Sequence, residues 1–259
     1  MRLVILTSNA IRHKFLANTL VKEASAALII AECKPAATTS EKTEKLSLIS
    51  KHFVLRDKTE LDVFAGHDYF RCNTLPILHK EANNLSVFES VKAFNPDIIV
   101  VYGASIIRPP LLSLLPYGRI INLHLGLSPY YRGSGTNFWP FVNDELEYVG
   151  ATILNIDAGV DTGDIITHIR PQLVPSDNVH TAGCKVIAAS ADALLTIMRR
   201  KENGKKLPAV KQWKAEIERY YRKKDFNEKA LLEYYQNLEN GMVARYCNNP
   251  KTLPQLVSI

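Results

Sequence analysis

Asn122 and His124 stand two residues apart where an apolar run, residues 119–123, gives way to polar chain. Side chains two apart in an extended segment point to the same side, so this amide and imidazole would share one face. Further along, Asp161 lies in the glycine-bracketed run Gly159-Val160-Asp161-Thr162-Gly163-Asp164. An amide, an imidazole and a carboxylate converging on one point suit acyl transfer. The amide donates to a developing oxyanion, the imidazole takes part in proton transfer, and the carboxylate orients the imidazole. Taken singly, each is ordinary: a strand-end histidine is commonly structural, and an Asp-Thr-Gly-Asp run is commonly only a turn. The conjunction of the three carries the expectation.

Other candidates are weaker. Arg132-Gly133-Ser134-Gly135-Thr136 resembles a phosphate cradle but lacks the Lys-Ser/Thr ending of a P-loop, and it reads as an active-site loop. Ser8 and Asn9, after the first apolar run, read as a helix N-cap before a phosphate contact. Phe138 and Trp139 read as core before substrate wall. Residues 220–224, Tyr-Tyr-Arg-Lys-Lys, read as a solvated basic helix before an anion contact. Cys33, Cys72, Cys184 and Cys247 are far apart with no CxxC pair, so buried free thiols are expected and no metal site.

The elements that must position these groups follow from periodicity. Residues 2–6 are apolar and β-branched; Thr7-Ser8-Asn9 then turns the chain before Phe15, Leu16, Leu20 and Val21 recur at helical spacing. Residues 26–31 repeat the strand signal, and residues 40–65 carry an apolar helical face. A helix over residues 85–94 leads through Asn95-Pro96-Asp97 into the unbroken apolar run 98–101, the signature of a strand covered on both faces. Pro109-Pro110 opens a short helical segment reaching residues 117–118, and residues 119–123 form the strand that delivers Asn122 and His124. Strands over residues 150–155 and 164–169 flank the Asp161 loop, and a helix follows over residues 178–198. This alternation predicts an α/β, Rossmann-like doubly wound, mostly parallel sheet, in which ligands bind at the carboxyl ends of strands. The polar run Arg-Arg-Lys-Glu-Asn-Gly-Lys-Lys from Arg199 and Pro208 mark a boundary. Residues 1–204 are expected to form the catalytic domain and residues 205–259 a short, mainly helical extension.

With 46% of its residues hydrophobic and 22% charged, the chain can build a large core. Its net charge of +6 favours anionic partners without choosing among folate, nucleotide sugar and RNA. The opening MRLVILTSNA lacks a signal-peptide cleavage site, and no stretch reads as long and apolar enough to span a bilayer, so a cytoplasmic location is expected.

The wording NLHLGLSPYYRG, followed by GATILNIDAGVDTGDII, resembles the folate-dependent formyltransferases over roughly residues 95–195. Sugar N-formyltransferases are the members it is most like. The resemblance implies Asn122, His124 and Asp161 as catalytic residues and 10-formyltetrahydrofolate as formyl donor. It places folate contacts on Ser105, Ile106 and Ile107, on Gly126, Leu127, Ser128 and Pro129, and on Asp157, Ala158, Gly159 and Val160. It implies direct attack of an amine on the formyl carbon through a tetrahedral species. Leu125-Gly126 stands where Pro-Ser is common in the family, and Ser128 where Leu is common, which puts side-chain contacts to folate there in doubt.

Four acceptors are implied by the resemblance. The tail does not read as the β-barrel of the tRNA enzyme, the opening lacks the phosphate loop of the glycinamide ribonucleotide enzyme, and no segment reads as the hydrolase's added domain. A nucleotide-linked amino sugar is left as the acceptor. The alternatives are a methionyl-tRNA formyltransferase-like enzyme and an inactive folate- or nucleotide-binding relative. The partner expected is thus a small molecule, with nucleic acid and membrane not expected and a homodimer the one assembly considered.

Overall fold

The computed structural model describes residues 1–34, 47–205 and 207–259. Its strands are β1 (Arg2–Ser8), β2 (Ala26–Cys33), β3 (Thr74–Leu78), β4 (Ile98–Val101), β5 (Ile120–His124), β6 (Tyr131–Gly133), β7 (Ala151–Asn155), β8 (Ile165–Ile169) and β9 (Arg219–Tyr221). Seven of them form one sheet in the order β3-β2-β1-β4-β5-β7-β8. The first five are parallel, while β7 runs antiparallel to both β5 and β8. The chain therefore forms the expected mostly parallel α/β sheet, with an antiparallel edge beside the strand that carries Asn122 and His124.

The period of two along β1 and β4 sorts their side chains into two cores. Leu3, Ile5, Ile98 and Val100 face one side, and Val4, Leu6, Ile99 and Val101 the other. The first side is covered by α1 (Ile11–Leu20), α2 (Leu48–Val63) and α5 (Val179–Glu202), the second by α3 (Leu85–Phe94) through Val87 and Val91. Helix α5 starts where the Asn178 side chain accepts from the Thr181 amide while the Thr181 hydroxyl accepts from the Asn178 amide. It ends on Arg199, Arg200 and Lys201, cations that suit a helix C-terminus.

Several elements differ from the sequence reading. Strand β3 was not expected; Pro76 and exposed Leu78 weaken its pattern, and pairing with β2 at the sheet edge decides it. Helix α2 occupies the later part of the expected 40–65 span, and residues 40–46 lie outside the described residues. Only a single 3-10 turn, Leu111–Ser113, forms after Pro109-Pro110. Ser8 and Asn9 do not cap α1: Ala10 holds that position, Ser8 is the last residue of β1 and bonds His13 Nδ1 at 2.6 Å, and Asn9 pairs with the Lys34 backbone. The basic segment 220–224 is strand and 3-10 turn rather than helix, because β9 pairs in parallel with β6 and Arg219 is tied to Glu145. Helix α5 is long and apolar enough by composition to cross a membrane, contrary to the reading of the sequence. Half of its apolar window is buried here, with Ala182, Val186, Leu194 and Ile197 packed into the sheet core.

The remaining helices are α4 (Trp139–Val142), α6 (Glu228–Glu239) and α7 (Met242–Asn248). Leu231 and Tyr234 of α6 and Met242 and Val243 of α7 join the same core cluster as α1 and α5. The extension beyond residue 204 thus packs as part of the main body.

Candidate active site

Strand β5 ends at His124 and β7–β8 are joined by the loop that contains Asp161, so the antiparallel edge brings the three polar groups together. Asp161 uses its two oxygens separately. Oδ1 accepts from the Asn122 amide at 2.9 Å, and Oδ2 lies 3.2 Å from His124 Nδ1. The other imidazole nitrogen, Nε2, is 3.3 Å from the Tyr131 carbonyl. Both partners only accept, so each contact is a hydrogen bond when the facing nitrogen carries a proton. His124 is buried and Asp161 is largely so. The Asn122 amide spends one N–H on Asp161, leaving its second donor for another acceptor.

The Asp161 loop is built to hold this geometry. Asp157 Oδ1 accepts from the Gly159 amide at 3.0 Å and the Thr162 hydroxyl at 2.7 Å, an Asx-type turn legible in the run Asp157-Ala158-Gly159. Asp161 itself has φ +53°, a left-handed conformation that aspartate tolerates better than most residues. At Gly163, a Cβ would lie 1.8 Å from the Asn155 carbonyl, so only glycine fits.

A cavity of about 170 Å3 opens beside Asn122 and Asp161. Ser105, Ile106, Ile107, Asp157, Gly159 and Val160 line it. Ala158 is exposed on the same loop but does not line it. Gly126, Leu127, Ser128 and Pro129 are buried and do not line it either. This segment is held in place beside the histidine: Thr152 donates to the Gly126 carbonyl at 2.6 Å and accepts from the Ser128 amide at 2.9 Å. A Cβ on Gly126 would meet Thr136 at 2.6 Å and His124 Nε2 at 2.8 Å, so the backbone passes closest to the imidazole where it carries no side chain.

Two supports were invisible in the sequence. Glu32, fully buried at the end of β2, accepts from the Ser105 amide and the His79 ring, each at 3.0 Å, and so braces the cavity wall. Burial opposes its charge, and these hydrogen bonds outweigh the burial, holding its carboxyl below the usual range. Gln212, from the extension, donates to the carbonyls of Asp161 and Gly163 at 2.7 and 3.0 Å. No local motif announces either residue; both act across long sequence separations.

The model of the formyl transferase family matches residues 2–198, which include every one of these side chains except Gln212. The chain belongs to the formyl transferase family. Among curated relatives, a methionyl-tRNA formyltransferase from Caldanaerobacter subterraneus is 32% identical over 126 residues, covering 49% of this chain and 40% of the relative. The chain thus spans less than half the length of that relative. The formyltransferase fold is also shared with solved structures. One is the formyltransferase PseJ from Anoxybacillus kamchatkensis in complex with UDP-4,6-dideoxy-4-formamido-L-AltNAc and tetrahydrofolate, at 21% identity, 90% coverage of each chain and a TM-score of 0.53. Another is the phosphoribosylglycinamide formyltransferase of Anaplasma phagocytophilum, at 16% identity, coverage of 86% of this chain and 98% of that one, and a TM-score of 0.57.

Proposed function

We propose that this formyl transferase moves a formyl group from 10-formyltetrahydrofolate to the amine of a nucleotide-linked amino sugar, in the cytoplasm. The observation that carries the reading is the Asp161 carboxylate bound at once by Asn122 and His124, at the wall of a cavity lined by apolar and backbone groups. What supports folate here is the lining: Ile107 and Leu154 supply apolar walls, and Asp157 and the backbone of its loop supply polar edges. When bound, 10-formyltetrahydrofolate supplies a formyl group on a nitrogen able to leave.

The protein's part is orientation and charge. The second N–H of Asn122 is free to donate to the carbonyl oxygen as it gains negative charge, worth about 3–4 kcal/mol on the usual scale for such a donor. His124 takes the proton that the attacking amine must lose, or holds a proton against the same oxygen. Asp161 fixes the imidazole through Nδ1 and the amide through Nδ2, so both act from one anchor. The sum is an amide N–C bond formed to the acceptor, the folate N–C bond broken, and one proton passed from the amine to the leaving nitrogen.

The amino-sugar acceptor is supported by fold neighbours whose described ligand is a nucleotide sugar. A second reading, initiator aminoacyl-tRNA as acceptor, is favoured by the methionyl-tRNA formyltransferases among the sequence relatives. Release of tetrahydrofolate, followed by absorbance with a panel of UDP- and dTDP-linked amino sugars, charged tRNA and no acceptor, separates the two. Sugar-dependent release is expected. Release only with tRNA overturns the acceptor, and release with no acceptor makes the protein a hydrolase.

A further inference from the structure

A second and larger cavity, about 530 Å3, abuts the same strand end through Leu125 and through Thr136, the residue against Gly126 and hence against His124. Its volume is that of an ordinary small-molecule site. Helix α2 supplies His52 and Phe53, α5 supplies His180, and the loop before α4 and the extension supply Phe138 and Phe226. These rings pack on one another: His52 lies 4.4 Å from His180 between centroids, 5.6 Å from Phe138 and 5.7 Å from Phe226.

His180 Nε2 and Asn137 Nδ2, both on lining side chains, are buried without a partner among the described residues, and His180 is the one in the aromatic cluster. Its side chain is 6% exposed. Buried polar atoms are ordinarily paired, so an orphan on a cavity-lining side chain points to a bound group as its partner. His52 differs, since its Nδ1 lies 3.2 Å from the Tyr235 hydroxyl. Burial, with Arg56 nearby, pushes His180 down to about 3 and His52 down to about 4, so both rings are neutral near pH 7. A neutral imidazole serves a hydroxyl or carbonyl group; it offers no countercharge to a phosphate. Lys223 borders the same cavity and suits the charged part of a ligand, while Arg56, also at its edge, is paired with Asp57 and lies 3.8 Å from Glu60.

We propose that His180, with the tilted ring of His52 beside it, is a specificity-determining contact for the acceptor: it hydrogen-bonds an uncharged hydroxyl or acylamino carbonyl on a sugar ring whose C–H face lies against Phe138 and Phe226. This rests on the amino-sugar reading above. Aromatic walls beside neutral hydrogen-bonding groups, His180 with Ser134, Thr136 and Asn137, match a pyranose, which presents an apolar face and a polar edge.

The test compares wild type, His180→Phe and His180→Gln, using calorimetric binding and steady-state kinetics with the UDP- and dTDP-linked amino sugars. Phenylalanine keeps the ring packing and removes the hydrogen bond. The expected result is an acceptor KM or Kd raised about tenfold in His180→Phe, the scale of one lost hydrogen bond, with kcat and folate KM within about twofold. His180→Gln recovers part of the loss. An unchanged acceptor KM and Kd in His180→Phe, or an equal rise in the folate KM, overturns the contact while leaving the acceptor assignment intact. Neither binding nor turnover of any sugar by wild type overturns both.

Discussion

Asp161 is held by a donor on each oxygen, which makes it the least replaceable side chain in the site. In Asp161→Asn the amide must turn its NH2 toward either Asn122 Nδ2 or His124 Nδ1, setting donor against donor. Turnover is expected to fall at least about a hundredfold in Asp161→Asn and in His124→Asn. Single-turnover formyl transfer measures this, with melting temperature as the control for folding; near-normal turnover in both variants would sink the assignment. Gly126→Ala is a sharper geometric probe. Its methyl would sit 2.6 Å from Thr136 and 2.8 Å from His124 Nε2, so the imidazole or the 134–136 loop must move. Turnover is expected to drop by at least about tenfold, as displaced catalytic groups generally cost that much or more. A rate equal to wild type would show that the ring need not stay where it is.

At the scale of elements, the site depends on loops braced from outside their own sequence neighbourhood. Glu32 reaches from β2 to the Ser105 amide, and Gln212 reaches from the extension to the Asp161 loop. Glu32→Ala leaves the Ser105 N–H without its partner, at an expected cost of about 1–3 kcal/mol. Thermal melting should fall by about 2–4 °C for each kcal/mol lost in a chain of this size. Folate KM is expected to rise with it, because residues 105–107 line the cavity; a lower melting point with unchanged folate KM would separate Glu32 from the site. The strand and helix order was legible from periodicity, as at residues 98–101, where an unbroken apolar run is a central strand. Strand β9 was not legible. Its Arg-Tyr-Tyr run, followed by Arg-Lys-Lys, looks solvated in isolation, and becomes a strand only because β6 offers it a partner and Trp139 stacks on Tyr221 with centroids 3.9 Å apart.

On the scale of the whole molecule, two buried imidazoles couple folding to pH. His52 and His180 titrate near 6.5 when unfolded and near 4 and 3 when folded. Between those values the unfolded chain binds the extra protons, so this part of the stability is intact above about pH 6.5 and is lost as pH falls. The slope is about 1.4 kcal/mol per pH unit for each histidine. Urea midpoints from pH 7 to pH 5 should fall less steeply in His180→Phe than in wild type, and equal slopes would contradict the assignment. The extension is a second whole-molecule property. A chain ending at residue 204 would uncover the core surface against which Leu231, Tyr234, Met242 and Val243 pack, and is expected to melt lower or aggregate in a thermal scan.

Residue types and short-range pattern determined the strand that carries Asn122 and His124, the Asx turn before Asp161, the α/β class and the resemblance to the formyl transferases. These depend on neighbours within a turn or a strand, where period and spacing are written directly in the chain. Tertiary structure alone decided that residues 126–129 are held in place beside His124 while residues 105–107 line the cavity, and that α2, α5 and the extension close a second cavity over a pair of neutral histidines. Those outcomes depend on which surfaces meet across the sheet. Burial and hydrogen bonding between groups far apart in sequence decide them, and no local period encodes either.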